Sequence, residues 1–398
     1  MHLPEDFGPG RTGLLLFWIA VAFSTFQIVT AFSIPINRPF GPGITLIHVA
    51  GAGLAVWAAT IALGAVQSRG FADRLIAFLP MLAVFVILAR FGGGMPSQVL
   101  RTIHVGFLCL LAAGMLAQHR AGSRPAKAAW WLLGGVAFLA GLYHWEFYRE
   151  LVTRAGYVTG PDMAVGIAAI AILFVLVWRV LGAALPIVAG LFLAYTILGH
   201  LLPSPYNHRG YDFDQVVEHM GFGTEGIYGT PTAVSATYIF LFILFGSFME
   251  KAGVIRFFNE LSIGIFGGTR GGPGKVCVAS SALMGTVSGS GVANVVASGQ
   301  FTIPLMKRFG FPSAFAGGVE ATSSMGGQIM PPVMGAVAFI MAETIGVPYS
   351  DIVVAAIIPA LLYFAACFWS VHLEAGKLGL HGLPRDELRN NGFLILPL

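Results

Sequence analysis

Between Gly285 and Gly299 the chain reads GTVSGSGVANVVASG, placing hydroxyl, amide and glycine residues between strongly apolar neighbours. Ser288, Ser290 and Asn294 offer uncharged oxygens there, and Gly289 and Gly291 loosen the backbone around them. A second stretch of this kind follows: Ala321 to Pro332, ATSSMGGQIMPP. It carries the hydroxyls of Thr322, Ser323 and Ser324, the Gln328 amide, the glycine pair Gly326 and Gly327, and the prolines Pro331 and Pro332. Hydroxyls, amides and freed carbonyls are ligands for a hard cation, and loosened N–H groups suit an anionic group. Glu320 precedes this second stretch and Glu343 follows it. Acids inside a membrane mark functional positions by default, although Glu343 fits an outer interfacial position equally well.

Other chemistries find little support. Gly289-Ser290-Gly291 starts like a dinucleotide fingerprint but ends at Asn294, and Gly271-Gly272-Pro273-Gly274-Lys275 lacks the hydroxyl of a phosphate loop because Val276 follows. No HExxH pair, GxSxG elbow or clustered transition-metal ligand set occurs, so an integral-membrane enzyme is the weaker reading. The cysteines Cys109, Cys277 and Cys367 all lie in apolar segments, which argues against a disulfide framework.

The elements that position these residues follow from composition. Of 398 residues 56% are hydrophobic and only 10% charged. Soluble domains carry about 25% charged residues, so this chain requires lipid as solvent. A net charge of +4, spread over single basic residues in short loops, gives no nucleic-acid surface. Apolar segments recur at 13–33, 44–66, 74–90, 99–117, 128–145, 161–179, 183–202, 233–250, 276–306, 312–346 and 350–372, with a polar stretch at 203–232. The expected fold is an all-α polytopic membrane protein of about 10–11 membrane segments. Lys and Arg in the short loops place the N-terminus in the cytoplasm.

Two of these segments break the pattern. In 276–306 the arms Val276–Val287 and Val292–Leu305 flank Ser288-Gly289-Ser290-Gly291. An arm of about 12 residues reaches only ~18 Å, short of a ~30 Å hydrocarbon core. Arg270 and Lys275 on one side, and Lys307 and Arg308 on the other, bracket the segment with positive charge. A re-entrant helical hairpin with its tip near mid-membrane follows; the alternative is one continuous helix whose small residues permit close packing. In 312–346 the glycine pair and the two prolines predict a helix broken into halves, the alternative being a plain proline kink.

Segment 222–380 resembles the large membrane subunit of the tripartite ATP-independent periplasmic (TRAP) transporters, and within them the fused permeases that work with TAXI-class binding proteins. The resemblance rests on FGSFMEKAG (245–253), Gly271-Gly272-Pro273, SGSGVAN (288–294), Ile303-Pro304-Leu305-Met306, GGQIMPP (326–332), Ile358-Pro359-Ala360 and VHLEA (371–375). Residues 1–180 match more loosely, as small-subunit helices fused ahead of a first repeat of the large subunit at 181–398.

The resemblance implies a sodium-coupled secondary transporter of the bacterial inner membrane, not an enzyme. A periplasmic binding protein would deliver a small organic anion to it, and an elevator motion would import the solute. It further implies one sodium between the hairpin (Ser288, Gly289, Ser290, Asn294) and the broken segment (Thr322, Ser323, Ser324, Gly326, Gly327, Gln328, with Pro331 and Pro332 setting the break). Such transporters contain two inverted repeats, and only one hairpin–broken-helix pair is found here before the terminal stretches Pro384–Asn391 and Gly392–Leu398. A truncated chain, or a separately encoded second half, is the expectation.

Overall fold

The computed structural model describes residues 7–8, 10–31, 39–41, 44–65, 70–91 and 94–384. The end of the first apolar segment, Arg69 and the terminal stretch from Arg385 onward lie outside the described residues. Apart from a small antiparallel ribbon of Pro39–Gly41 with Ile44–Thr45, all regular structure among the described residues is helical. Among the described residues, eight helical stretches are long and apolar enough to cross a membrane. The fold is an all-α polytopic membrane protein, and each apolar segment read from the sequence carries helix. The polar stretch 203–232 also contains a short helix, Phe213–Gly221, opened by a capping box of Asp212 and Gln215.

The chain divides into two compact units, Met1–Thr237 and Tyr238–Leu398. In the first, α1 (Gly10–Ala31), α2 (Leu46–Ala65), α3 (Phe71–Phe91), α4 (Ser97–His119) and α5 (Arg124–Glu146) precede the short α6 (Tyr148–Thr153). Then come α7 (Gly160–Leu181), α8 (Ala184–Leu198), α9 (Phe213–Gly221) and α10 (Thr230–Val234). Small side chains let α4 and α5 approach closely, with Cys109, Ala113, Leu116 and Ala137 packed against Ile172 and Leu176 of α7. One face of α4 holds the segment after α9. Gln98 Nε2 donates to the Phe222 carbonyl at 2.6 Å, Arg101 Nη1 to the Tyr228 carbonyl at 2.8 Å, and His104 Nε2 lies 3.0 Å from Ser235 Oγ.

The start of α7 contains a buried acid. Thr159 and Asp162 form a capping box, with the Thr159 backbone N–H and hydroxyl donating to Asp162 Oδ2 at 2.9 and 2.6 Å. Asp162 Oδ1 accepts from the Tyr143 hydroxyl at 2.6 Å and from Arg154 Nη2 at 2.7 Å. The carboxylate is 2% exposed, yet a guanidinium faces it directly. Its charge is therefore neutralised where it sits.

The second unit holds α11 (Phe240–Lys251), α12 (Val254–Phe266), α13 (Gly272–Ser288), α14 (Gly291–Arg308), α15 (Ser313–Gly326), α16 (Ala336–Ile345) and α17 (Tyr349–Lys377). Its core joins α13, α14, α15 and α17 through Cys277, Val278, Met306, Val319, Phe364 and Val371.

The sequence arms of 276–306 correspond to α13 and α14, but both helices are longer than those arms. They have 17 and 18 residues, so each extends ~26 Å. Gly271, with φ of 70°, and Pro273 in the first turn start α13 ahead of Val276, and α14 runs on through Lys307 and Arg308. Lys275 accordingly is not a solvated loop cation. It is 6% exposed in the first turn of α13, with its ammonium 5.0 Å from the centre of the Phe368 ring.

Candidate functional site

The turn between α13 and α14 consists of Gly289 and Ser290. Gly289 has φ of 58°, a left-handed conformation that closes the first arm and reverses the chain. Ser290 then opens the second arm, its hydroxyl accepting from the Ala293 N–H at 3.3 Å. The arms fold back on each other. Asn294 Nδ2 donates across the hairpin to the Ser281 carbonyl at 2.9 Å. Cys277 and Thr302, equidistant in sequence from the Gly289–Ser290 turn, donate to the same oxygen of Glu320. Two facing arms, not one continuous helix, satisfy both contacts.

The 312–346 segment is broken as expected. The first half, α15, ends at Gly326 and the second, α16, begins at Ala336. Between them the backbone runs through tight turns, with N–H groups of Gly327, Gln328 and Ile329 donating three residues back at 3.1–3.2 Å. The Pro331–Pro332 peptide bond is cis, and Met334 has φ of 52°. The Tyr349 hydroxyl lies 2.9 and 2.6 Å from the carbonyls of Pro332 and Val333, which ties α17 to the break.

Hairpin tip and helix break lie against each other at backbone distance. A methyl group placed on Gly285 would come within 2.5 Å of Gly327 Cα, and one on Gly291 within 2.6 Å of Met325 Sδ. At Gly289 it would collide with the Met334 carbonyl. At Gly285 and Gly289, where the obstacle is backbone, only glycine fits this contact. Beside it opens a cavity of about 300 Å³, with Ser288, Gly289, Ser290 and Gln328 along its polar side. Ile239, Phe242, Val292, Val333 and Phe339 form its apolar wall, and no charged side chain lines it. The N-termini of α14 and α16 both open onto the cavity, through Ser290–Val292 and Gly335–Val337.

Not every residue singled out in the sequence reaches this cavity. Asn294 is fully buried between the arms, and Ser324 turns its hydroxyl to Glu320 at 2.9 Å. Ser323 is fully buried and without a hydrogen-bond partner for its hydroxyl. Thr322 faces α17, where its carbonyl accepts from the Tyr363 hydroxyl at 2.8 Å. Gly326 packs against Tyr363 and Phe364, and Pro331 and Pro332 frame the break. Glu343 is exposed on α16.

Glu320 forms a second polar centre within the unit. It is fully buried on α15 and accepts from Ser298 Oγ at 2.5 Å, Ser324 Oγ at 2.9 Å, Cys277 Sγ at 3.0 Å, and Thr302 Oγ1. Sequence reasoning passed over Cys277, Ser298 and Thr302. The signal available was the i, i+4 stripe of Asn294, Ser298 and Thr302, which sets three polar side chains on one face of α14. Met334 and Phe339, also passed over, contribute the carbonyl under the tip and the aromatic wall.

The match to known proteins starts in α7 and runs on through both of these centres. Residues 168–396 match the family model described as the tripartite ATP-independent periplasmic transporter, DctM component. The chain belongs to the DctM family. A C4-dicarboxylate TRAP transporter large permease protein of Rhodobacter capsulatus is 33% identical over 160 residues, covering 37% of this chain and 36% of that protein. Its counterpart in Pseudomonas aeruginosa is 30% identical over 148 residues, covering 37% and 34%. An uncharacterized protein, y4mL, of Sinorhizobium fredii is 36% identical over 139 residues, covering 34% and 32%. The chain thus spans about a third of the length of the curated relatives it matches, and within the DctM match lie both the hairpin and the broken helix.

Proposed function

We propose that this chain is the membrane permease component of a sodium-coupled, binding-protein-dependent secondary transporter that imports small organic anions, chiefly carboxylates. The observation that carries the reading is the meeting of hairpin tip and helix break beside a cavity of about 300 Å³ with a polar edge and no charged lining. Sodium is held there by uncharged oxygens from Ser288, Gly289, Ser290 and the turn around Gln328, without a full buried countercharge. The solute's anionic group lies toward the N-termini of α14 and α16, whose dipoles and free N–H groups favour negative charge. Hairpin and broken helix travel together as an elevator. DctM membership and the named permease relatives support a carrier over an enzyme.

The protein resides in the bacterial inner membrane with its N-terminus in the cytoplasm, the orientation favoured by its loop charges. Its partner is a periplasmic binding protein of the TAXI type. Uptake of labelled organic acids into liposomes under an inward sodium gradient tests this, with a TAXI-type binding protein present or omitted. Sodium-dependent uptake in one pairing is the expected result; none in any pairing sinks the reading.

A further inference from the structure

Two cations of the second unit stand at the end of a helix whose dipole disfavours them. The α13 helix begins at Gly272, and a helix N-terminus favours anions. Arg270 nevertheless stands immediately before the Gly271 cap, and Lys275 lies in the first turn. Lys275 is 6% exposed, so solvent screens its charge little. Its three N–H donors have one hydrogen-bond acceptor among the described residues, Thr269 Oγ1 at 3.4 Å, and the ammonium otherwise rests on the Phe368 ring. Neither is a countercharge.

The nearby acids do not supply one. Glu260 bonds Arg256 at 2.7 Å and Glu374 bonds Lys377 at 3.5 Å. Among the described residues no carboxylate comes within ion-pair range of Arg270 or Lys275. More positive charge gathers alongside. The Arg270 guanidinium packs over Gly376 in the last turn of α17, and Phe311, just beyond α14, lies against Gly271 and Gly274. These contacts bring Lys377 of α17, and Lys307 and Arg308 of α14, to the end of the unit where α13 starts. Cations in a last turn suit the helix dipole, which accounts for those three. It does not account for Arg270 and Lys275.

The α12 helix, packed on α13, indicates which anion fits. Its 13 residues extend ~20 Å, too short to cross a ~30 Å hydrocarbon core. Phe257 and Ile265 are 46% and 59% exposed, and with Leu261 between them they form an apolar stripe at i, i+4, i+8 spacing. A short helix with such a stripe, set beside basic residues, suits the membrane interface.

We propose that the start of α13 is a docking site for the phosphate headgroup of an anionic lipid. The exposed Arg270 bonds the phosphate oxygens, Lys275 adds its charge from the buried side, and α12 offers its stripe to the acyl chains. The N–H groups of Gly272 and Gly274 already bond the carbonyls of Thr269 and Gly271, at 2.8 and 3.1 Å. Side-chain charge, not a backbone nest, therefore holds the headgroup. The loop charges that favour a cytoplasmic N-terminus favour the cytoplasmic leaflet for this end too, the leaflet whose surface is negative. Free phosphate would meet the same cations but gain nothing from the stripe.

Native mass spectrometry of the full chain, after incubation in detergent with equal amounts of phosphatidylglycerol and phosphatidylcholine, counts the bound lipids of each kind. The wild type is expected to retain phosphatidylglycerol in preference. Arg270→Gln, at an exposed position, should weaken phosphatidylglycerol binding about fivefold, the effect of one basic residue near a headgroup. Arg209→Gln makes the same charge change in the polar stretch 203–232 and should leave binding as in the wild type. Equal retention of the two lipids, phosphatidylglycerol binding unchanged in Arg270→Gln, or an equal loss in Arg209→Gln overturns the proposal. Displacement of the lipid by equimolar inorganic phosphate overturns it too, because the site would then be one for a free anion. Transport plays no part in this readout, so the lipid site and the permease reading stand or fall separately.

Discussion

Asp162 and Glu320 are both almost inaccessible, at 2% and 0% exposure, and both accept four hydrogen bonds. They differ in what supplies those bonds. Asp162 sits in the first turn of α7, where the helix N-terminus favours a negative group and Arg154 balances the charge. Two of its bonds close the capping box and define where the helix begins. Glu320 lies well inside α15, with no helix end and, among the described residues, no cation in ion-pair range, and it joins α15 to α13 and α14. Burial alone therefore does not describe how an acid is held. The charge balance of its partners does.

Substitutions can break or sharpen this contrast. Arg154→Leu leaves the Asp162 carboxylate buried without its cation and is expected to cost ~2–4 kcal/mol, a range lowered because Arg154 is itself part exposed. A thermal melt in detergent, scored as a fall in Tm, measures it. Tyr143→Phe removes one charge-assisted bond from Asp162 and should cost ~1.5–3 kcal/mol in the same melt. Tyr363→Phe removes a neutral bond to the Thr322 carbonyl, and a loss of ~1 kcal/mol is anticipated. Glu320→Gln should be the mildest, under ~1 kcal/mol, because it keeps the shape of the side chain and sets an amide N–H among hydroxyls that can rotate to accept it. A Glu320→Gln chain that melts as early as Arg154→Leu would erase the distinction.

How much of this was legible in the sequence depends on the range of the interaction. Gly326-Gly327 and Pro331-Pro332 act on their own backbone, so the break between α15 and α16 falls where composition puts it. Gly289 and Ser290 form the tip for the same local reason, one supplying a positive φ and the other an N-cap. The Thr159–Asp162 capping box was equally local and readable, but its spacing passed unnoticed among strongly apolar neighbours. Cys277 and Thr302 were harder. Neither residue type signals a site, and they meet Glu320 only because two arms fold back on a third helix. Lys275 misled through its sign: loop chemistry suggested solvation, whereas its ammonium rests on an aromatic ring. Asn294 and Ser324 were recognised as polar groups worth following, but their position on the helix turns them into the hairpin and away from the cavity.

The central claim is that hairpin tip and helix break form one sodium site, and equilibrium binding of radioactive sodium to the purified chain tests it most directly. Saturable binding is expected in the wild type, with loss of more than tenfold in affinity for Gly289→Ala. That substitution strains a positive φ and drives a methyl group into the Met334 carbonyl. Glu343→Gln, exposed on α16, should bind as the wild type does. Sodium binding that Gly289→Ala leaves unchanged, or a wild-type chain that binds no sodium, would contradict the account.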